Sequence, residues 1–156
     1  MEERFYLFFL QIFSNCIFNL KFKQSKKTLV KDKLLEPIAL TVDSIKKRLF
    51  WIDRKYDHLE TCDYFGLKRF VIASGSKNLP HSVSLDIFES NIFYADTTKM
   101  AIMKLHRHAI TSEANITYHY KLEGNLIPNF VKIYHESKQD TSIPNPCALN
   151  KYKYLQ

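Results

Sequence analysis

Three sets of residues have the types and spacing to do chemistry. His106 and His108 flank Arg107, and on a strand such i, i+2 side chains share a face, as paired metal-binding imidazoles do. No nearby Cys, Asp or Glu completes a set, so a solvated turn is expected there, with no metal and no cofactor. Asp53 and Asp96 recur 43 residues apart, each at the end of an aromatic run. That repetition argues for structure: a carboxylate so placed can accept backbone N–H bonds and tie neighbouring units together, and a buried carboxylate needs such partners. The cysteines, Cys16, Cys62 and Cys147, are odd in number and match no zinc spacing. Cys62, in a predicted strand, reads as a buried free thiol. There is no Gly-x-Ser-x-Gly elbow, and three glycines in all leave no room for a phosphate loop. No catalytic residue is expected, and the chain reads as a binding protein rather than an enzyme.

The elements that carry these residues come in a repeat. A displacement of 43 residues lays Pro37 on Pro80, Leu40 on Val83, Val42 on Leu85 and Asp43 on Asp86. It also lays Phe50-Trp51-Ile52-Asp53 on Phe93-Tyr94-Ala95-Asp96. Looking for such periods first decides the fold. The first unit divides into four short strand-like runs, IALTV, RLFWID, HLETCD and RFVIAS, with a turn at DYFGLK where Gly66 can take positive φ. The second gives VSLDIF, NIFYAD, AIMKLH and ITYHYKL. Four strands in such a unit is the size of a β-propeller blade. A third unit starts at Pro128, in PNFVKIYH. Six blades need roughly 260 residues. This chain therefore predicts two blades and the first strand of another. Two apolar blade faces would be left open, so a fragment, or a chain that pairs with others, is expected.

The formal charge of +7 is spread out, with no compact basic stripe among the strands, so no nucleic-acid partner is expected. The remaining rival is a small intracellular basic β-protein with steeply salt-dependent nucleic-acid binding. The N-terminal run FYLFFLQIFSNCIFNL is apolar but interrupted by Gln11, Ser14, Asn15 and Asn19. It is short and polar for a membrane-spanning helix. Three readings stay open for it: a signal sequence, an interfacial or packed helix, and a mis-assigned first exon. Asn115-Ile116-Thr117 is a glycosylation sequon in a polar turn.

Phe50-Trp51-Ile52-Asp53 and Phe93-Tyr94-Ala95-Asp96 resemble the Tyr-Trp-Thr-Asp runs of YWTD repeats, with Thr replaced in both. DHLETCDYFGLKR resembles the segment that follows, and LPHSVSLDIFESNIFYAD the start of the next blade. NFVKIYHESKQDTSIPNPC resembles the exit from the last blade into an EGF-like module. Together they resemble the class B repeats of the low-density-lipoprotein (LDL) receptor family, leaning toward the large LDL-receptor-related proteins and vitellogenin receptors.

The resemblance implies an all-β fold, a partial six-bladed propeller of about two four-stranded blades and an exit strand. The apolar N-terminal segment keeps a helix among its readings. The implied domains are a leader and linker over 1–27, a propeller piece over 28–143, and the start of an EGF-like module over 144–156. Within the propeller piece, blades run over 37–79 and 80–127 and the exit strand over 128–136. Cys147 would be the first cysteine of the EGF-like module, its partner missing. The implied role is a non-enzymatic binding module of a lipoprotein or yolk-protein endocytic receptor at the plasma and endosomal membranes. Lipoprotein or other protein ligands, adjacent EGF-like and class A modules and a folding chaperone are the implied partners. His81, and more weakly His58, fall near blade positions where receptors of this family sense endosomal acid, and an imidazole suits that task. His135 reads as packing. The alternative within the same fold is a Wnt co-receptor or basement-membrane propeller that docks proteins without acid release.

Overall fold

In the computed structural model, described for residues 6–11, 16–21, 27–75, 79, 82–107 and 116–135, every regular element is a strand. The strands are β1 (Tyr6–Gln11), β2 (Cys16–Lys21), β3 (Lys27–Val30), β4 (Pro37–Asp43), β5 (Arg48–Asp53), β6 (His58–Asp63), β7 (Phe70–Ser74), β8 (Ser82–Phe88), β9 (Asn91–Asp96), β10 (Ala101–His106) and β11 (Ile116–Lys121). They form three antiparallel meanders, β1-β2-β3, β4-β5-β6-β7 and β8-β9-β10-β11. The two four-stranded sheets are the blades that the repeat predicts, and the innermost strands β4 and β8 lie against each other.

Alternation along each strand sends its side chains to two different interfaces. Phe50 and Ile52 of β5 and Leu59 of β6 face the second blade, where they meet Leu85, Ile87, Ile92, Tyr94 and Met103. Leu49, Trp51 and Cys62 point the other way, onto Ile17, Val30 and Leu34. Trp51 and Tyr94 are both fully buried, each facing back from its own sheet onto the sheet before it.

The N-terminal segment departs from its expected reading. A helix was open there, but the structure has the hairpin β1–β2 followed by β3, and the proposed 27/28 boundary falls inside β3. These strands repeat the outer three strands of a blade. Tyr6↔Lys21 through Gln11↔Cys16 in β1–β2 match Arg48↔Asp63 through Asp53↔His58 in β5–β6, displaced by 42 residues. The next ladder carries a bulge between Ile17 and Phe18, where the blades carry theirs between Leu59 and Glu60 and between Ile102 and Met103. Ile17 is buried like its counterpart Leu59, and its partner Val30 like Ala73, the partner of Leu59. The first blade's near face is therefore covered within the chain, not left open. Gly66 shows how closely: at φ +81°, a Cβ there would sit 2.3 Å from the Leu29 carbonyl oxygen of β3.

The structure also corrects the repeat's register in the innermost strands. Leu40 pairs with Trp51, and it is Leu85, not Val83, that pairs with Tyr94. The β4–β5 turn is two residues longer than the β8–β9 turn, so Thr41, not Asp43, is the counterpart of Asp86. A two-residue difference preserves which face each side chain takes, which is why the sequence pattern survived it. Among the described residues, 128–135 form no ladder with another strand and are held by side chains of β8 instead.

Candidate docking and pH-sensing site

Carboxylates fasten each sheet to the next. Asp53, fully buried at the end of β5, accepts from Leu35 N (2.7 Å) and Glu36 N (3.1 Å) in the connector leading into the blade. It also accepts from Lys55 N (3.1 Å) and Tyr56 N (3.2 Å) in its own turn. Asp96 repeats the turn bond with Lys99 N (2.9 Å) and adds the Lys99 ammonium at 3.6 Å. Leu79 N, the counterpart of Glu36 N, bonds Gly75 O instead.

Two further joints were not singled out from the sequence. Asp86, buried, accepts from Thr41 Oγ1 (3.1 Å) on one side and Ile133 N (2.8 Å) on the other, with Lys132 Nζ at 3.6 Å. One carboxylate thus spans the first blade, the second, and the segment after it. Arg107, buried at the end of β10, pairs with Asp43 in the first blade and stands over the Phe50 ring at 5.4 Å. Burial alone would raise the Asp43 carboxyl, but bonds from Lys46 N, Arg107 and Ile45 N outweigh it and hold the group below its ordinary value.

His58 opens β6 at the end of the blades where the β5–β6 turn lies, and half-exposed. Tyr56 stacks on its ring at 5.6 Å, and its Nδ1 lies 3.9 Å from Glu60 Oε1. Glu60 is buried, its carboxylate gripped by Arg69 through two bonds of 2.6 and 3.0 Å. Arg69 also donates to the carbonyls of Asp32 and Lys33 and covers the Trp51 ring at 5.3 Å. A groove of about 480 Å³ opens over this latch, walled by Lys33, Tyr56, Phe70 and Val71. A second positive charge on His58 would compete with Arg69 for the same carboxylate.

The other described residues chosen from sequence, Cys62, His106 and His135, do not line this groove. His81, His108, Asn115 and Cys147 lie outside the described residues. Cys62 is a buried free thiol in the interface with β2 and β3, and burial, then the nearby Asp63, push it up to about 12. His106 is exposed, and His135 packs on Phe88 at 4.6 Å. Among the described residues, no three His, Cys, Asp or Glu side chains converge as a metal site would require, and no helix is long and apolar enough to cross a membrane.

No family model matches the chain. A vitellogenin receptor of Solenopsis invicta is 25% identical over 118 residues, which is 75% of this chain and 6% of the receptor. A solved nidogen/laminin complex contains a β-propeller that superposes with a TM-score of 0.59 at 20% identity, covering 73% of this chain and 42% of that one. The chain spans under half the length of the solved chain and a small fraction of the receptor.

Proposed function

We infer, from a chain whose sheets are LDL-receptor class B propeller blades, that it is a non-enzymatic protein-docking module of an extracellular endocytic receptor for lipoprotein or yolk protein. The observation that carries this reading is the match to a vitellogenin receptor over three quarters of the chain, in a part that folds as propeller blades. Adjacent EGF-like and class A modules and a folding chaperone are its further partners. Residues 144–156, with Cys147, begin the EGF-like module, and Asn115 carries glycan in the secretory pathway. His81 and His58 are its acid sensors. At His58 the mechanism is electrostatic. His58 Nδ1 lies 3.9 Å from the Glu60 carboxylate that Arg69 grips while holding the 32–33 carbonyls, so a positive charge on the imidazole would compete with that grip.

The test is binding to immobilised vitellogenin at about pH 7.4 and about pH 5.5, below and above which an ordinary imidazole changes charge. Capture at neutral pH and dissociation accelerated about tenfold in acid are expected, an effect of about 1.4 kcal/mol. His58→Ala and His81→Ala should each slow the acid step and leave neutral binding alone. Unchanged release in both variants removes the acid-sensor role, and no capture at neutral pH removes the docking role.

The nidogen/laminin neighbour favours one second reading, a matrix-type propeller that docks proteins without acid release. Capture by laminin and not by vitellogenin, insensitive to pH, would select it.

A further inference from the structure

Asp43 pairs with Arg48 and Arg48 with Asp63, so the β4–β5 and β6–β7 turns leave the first blade side by side. They carry that blade's most exposed large apolar side chains among the described residues. Ile45, in the first turn, is 82% exposed, and Phe65 and Leu67, in the second, 68% and 63%. A single exposed apolar residue is ordinary, but these stand together. The turns are also firmly held. Asp43 Oδ1 accepts from Ile45 N (3.1 Å) and Lys46 N (2.9 Å), and Asp63 Oδ1 from Phe65 N (3.0 Å) and Leu67 N (2.8 Å). Tyr64 Oη donates to Asp43 O (3.4 Å), joining one turn to the other. The backbone therefore holds the apolar tips out in water.

The charge beside the tips is one-sided. Both acids of the two turns are engaged, Asp63 by those amides and Asp43 by Arg107 as well. Lys46, Lys47 and Lys68 are exposed. We propose that this end of the first blade docks on an anionic phospholipid bilayer. Ile45, Phe65 and Leu67 enter the boundary between headgroups and acyl chains, and the three lysines lie among the phosphates. Binding to such an interface grows with the apolar area inserted and with the attraction of cations to anionic lipid, so it uses both halves of the pattern. A sulfated polysaccharide would use the lysines and leave the apolar tips in water. A protein partner would need recesses for tips that stand on two separate turns. His58 lies at the other end of β6, and the docking is independent of the ligand proposed above.

Flotation of the full chain with vesicles of phosphatidylcholine and phosphatidylserine, about 3:1, tests it. The chain should float with these vesicles, less so at high salt, and not with phosphatidylcholine alone. Ile45→Ser with Phe65→Ser should abolish flotation. Lys47 and Lys68 stand at φ 54° and 52°, where Asn is at ease, so Lys47→Asn with Lys68→Asn removes charge without disturbing the turns. That pair should weaken binding about 25-fold, roughly fivefold per lysine. Tyr120→Ser, a change at an exposed site in the second blade, should leave it unaltered. The emission of buried Trp51 reports whether each variant is folded. Phe65→Trp reads insertion itself, and its emission should move to shorter wavelength when the mixed vesicles are added. Wild-type chain that does not float overturns the proposal. So does flotation that survives the paired serines or is lost equally in Tyr120→Ser. Should the paired serines fail to fold, Phe65→Trp emission unmoved by vesicles overturns it alone. Retention on heparin that needs the lysines and ignores the apolar pair, with Phe65→Trp unmoved, would give the face to a sulfated polysaccharide instead.

Discussion

Removing the Asp53 carboxylate should be among the costliest single changes in the first blade. Four backbone amides converge on it, and they are not equivalent. Lys55 N and Tyr56 N lie in an exposed turn and can return to water, so their loss costs about 0.5 kcal/mol each. All four bonds are part-buried and charge-assisted, but Leu35 N and Glu36 N lie 18 and 17 residues back in the connector, so theirs join two elements and are worth about 1.5 kcal/mol each. Asp53→Ala should therefore lower stability by about 3–4 kcal/mol, a large part of a small domain's total. Asp53→Asn keeps one acceptor oxygen but turns an NH₂ toward a donor, and should lose about 2 kcal/mol. The assay is urea unfolding at neutral pH and fixed protein concentration, followed by emission of Trp51, the chain's single tryptophan. A loss under about 1 kcal/mol for Asp53→Ala would refute the reasoning that this carboxylate latches the connector to the blade.

Arg107→Met removes one partner of a buried pair and should cost about 3 kcal/mol, the lower end for such losses, again read by urea unfolding. The same pair predicts an acid limb. Because the folded Asp43 carboxyl is held below its unfolded value, its contribution is complete above that unfolded value and fades as pH falls through the folded one. Thermal scans from neutral into strong acid should show that fade in the wild type and a shallower one in Arg107→Met. With its thiol pushed up to about 12, Cys62 should resist alkylation in the folded chain and react on unfolding, which mass spectrometry of iodoacetamide-treated protein would read. Secreted expression followed by glycosidase treatment should shift the chain's mobility, and Asn115→Gln should abolish the shift.

The blades were legible because one face pattern repeats: Phe50-Trp51-Ile52-Asp53 and Phe93-Tyr94-Ala95-Asp96 alternate side chains between the two faces, all buried but the half-buried Phe93, whatever their identities. The N-terminal strands were not legible for a definite reason. Phe8-Phe9-Leu10-Gln11 occupies the same place in its sheet as Phe50-Trp51-Ile52-Asp53, but Gln replaces the carboxylate, and the apolar run around it looks like a leader or helix. The two-residue difference between the β4–β5 and β8–β9 turns hid the equivalence of Thr41 and Asp86, since the alternation of faces is blind to even shifts. At the candidate site, His58 was visible as a titratable residue near a strand start. Its neighbours Glu60 and Arg69 were not, because a bidentate pair nine residues apart depends on the β6–β7 register rather than on any motif.

The central claim is that β1–β3, β4–β7 and β8–β11 are successive copies of one blade pattern. Hydrogen exchange on the intact chain, resolved over residues 6–21, tests it most directly. If the segment is the outer part of a blade, the amides of the Tyr6–Gln11 and Cys16–Lys21 ladder exchange as slowly as those of Arg48–Asp53 and His58–Asp63. Rapid exchange across residues 6–21, with the blades protected, would contradict it and return the segment to the role of a leader.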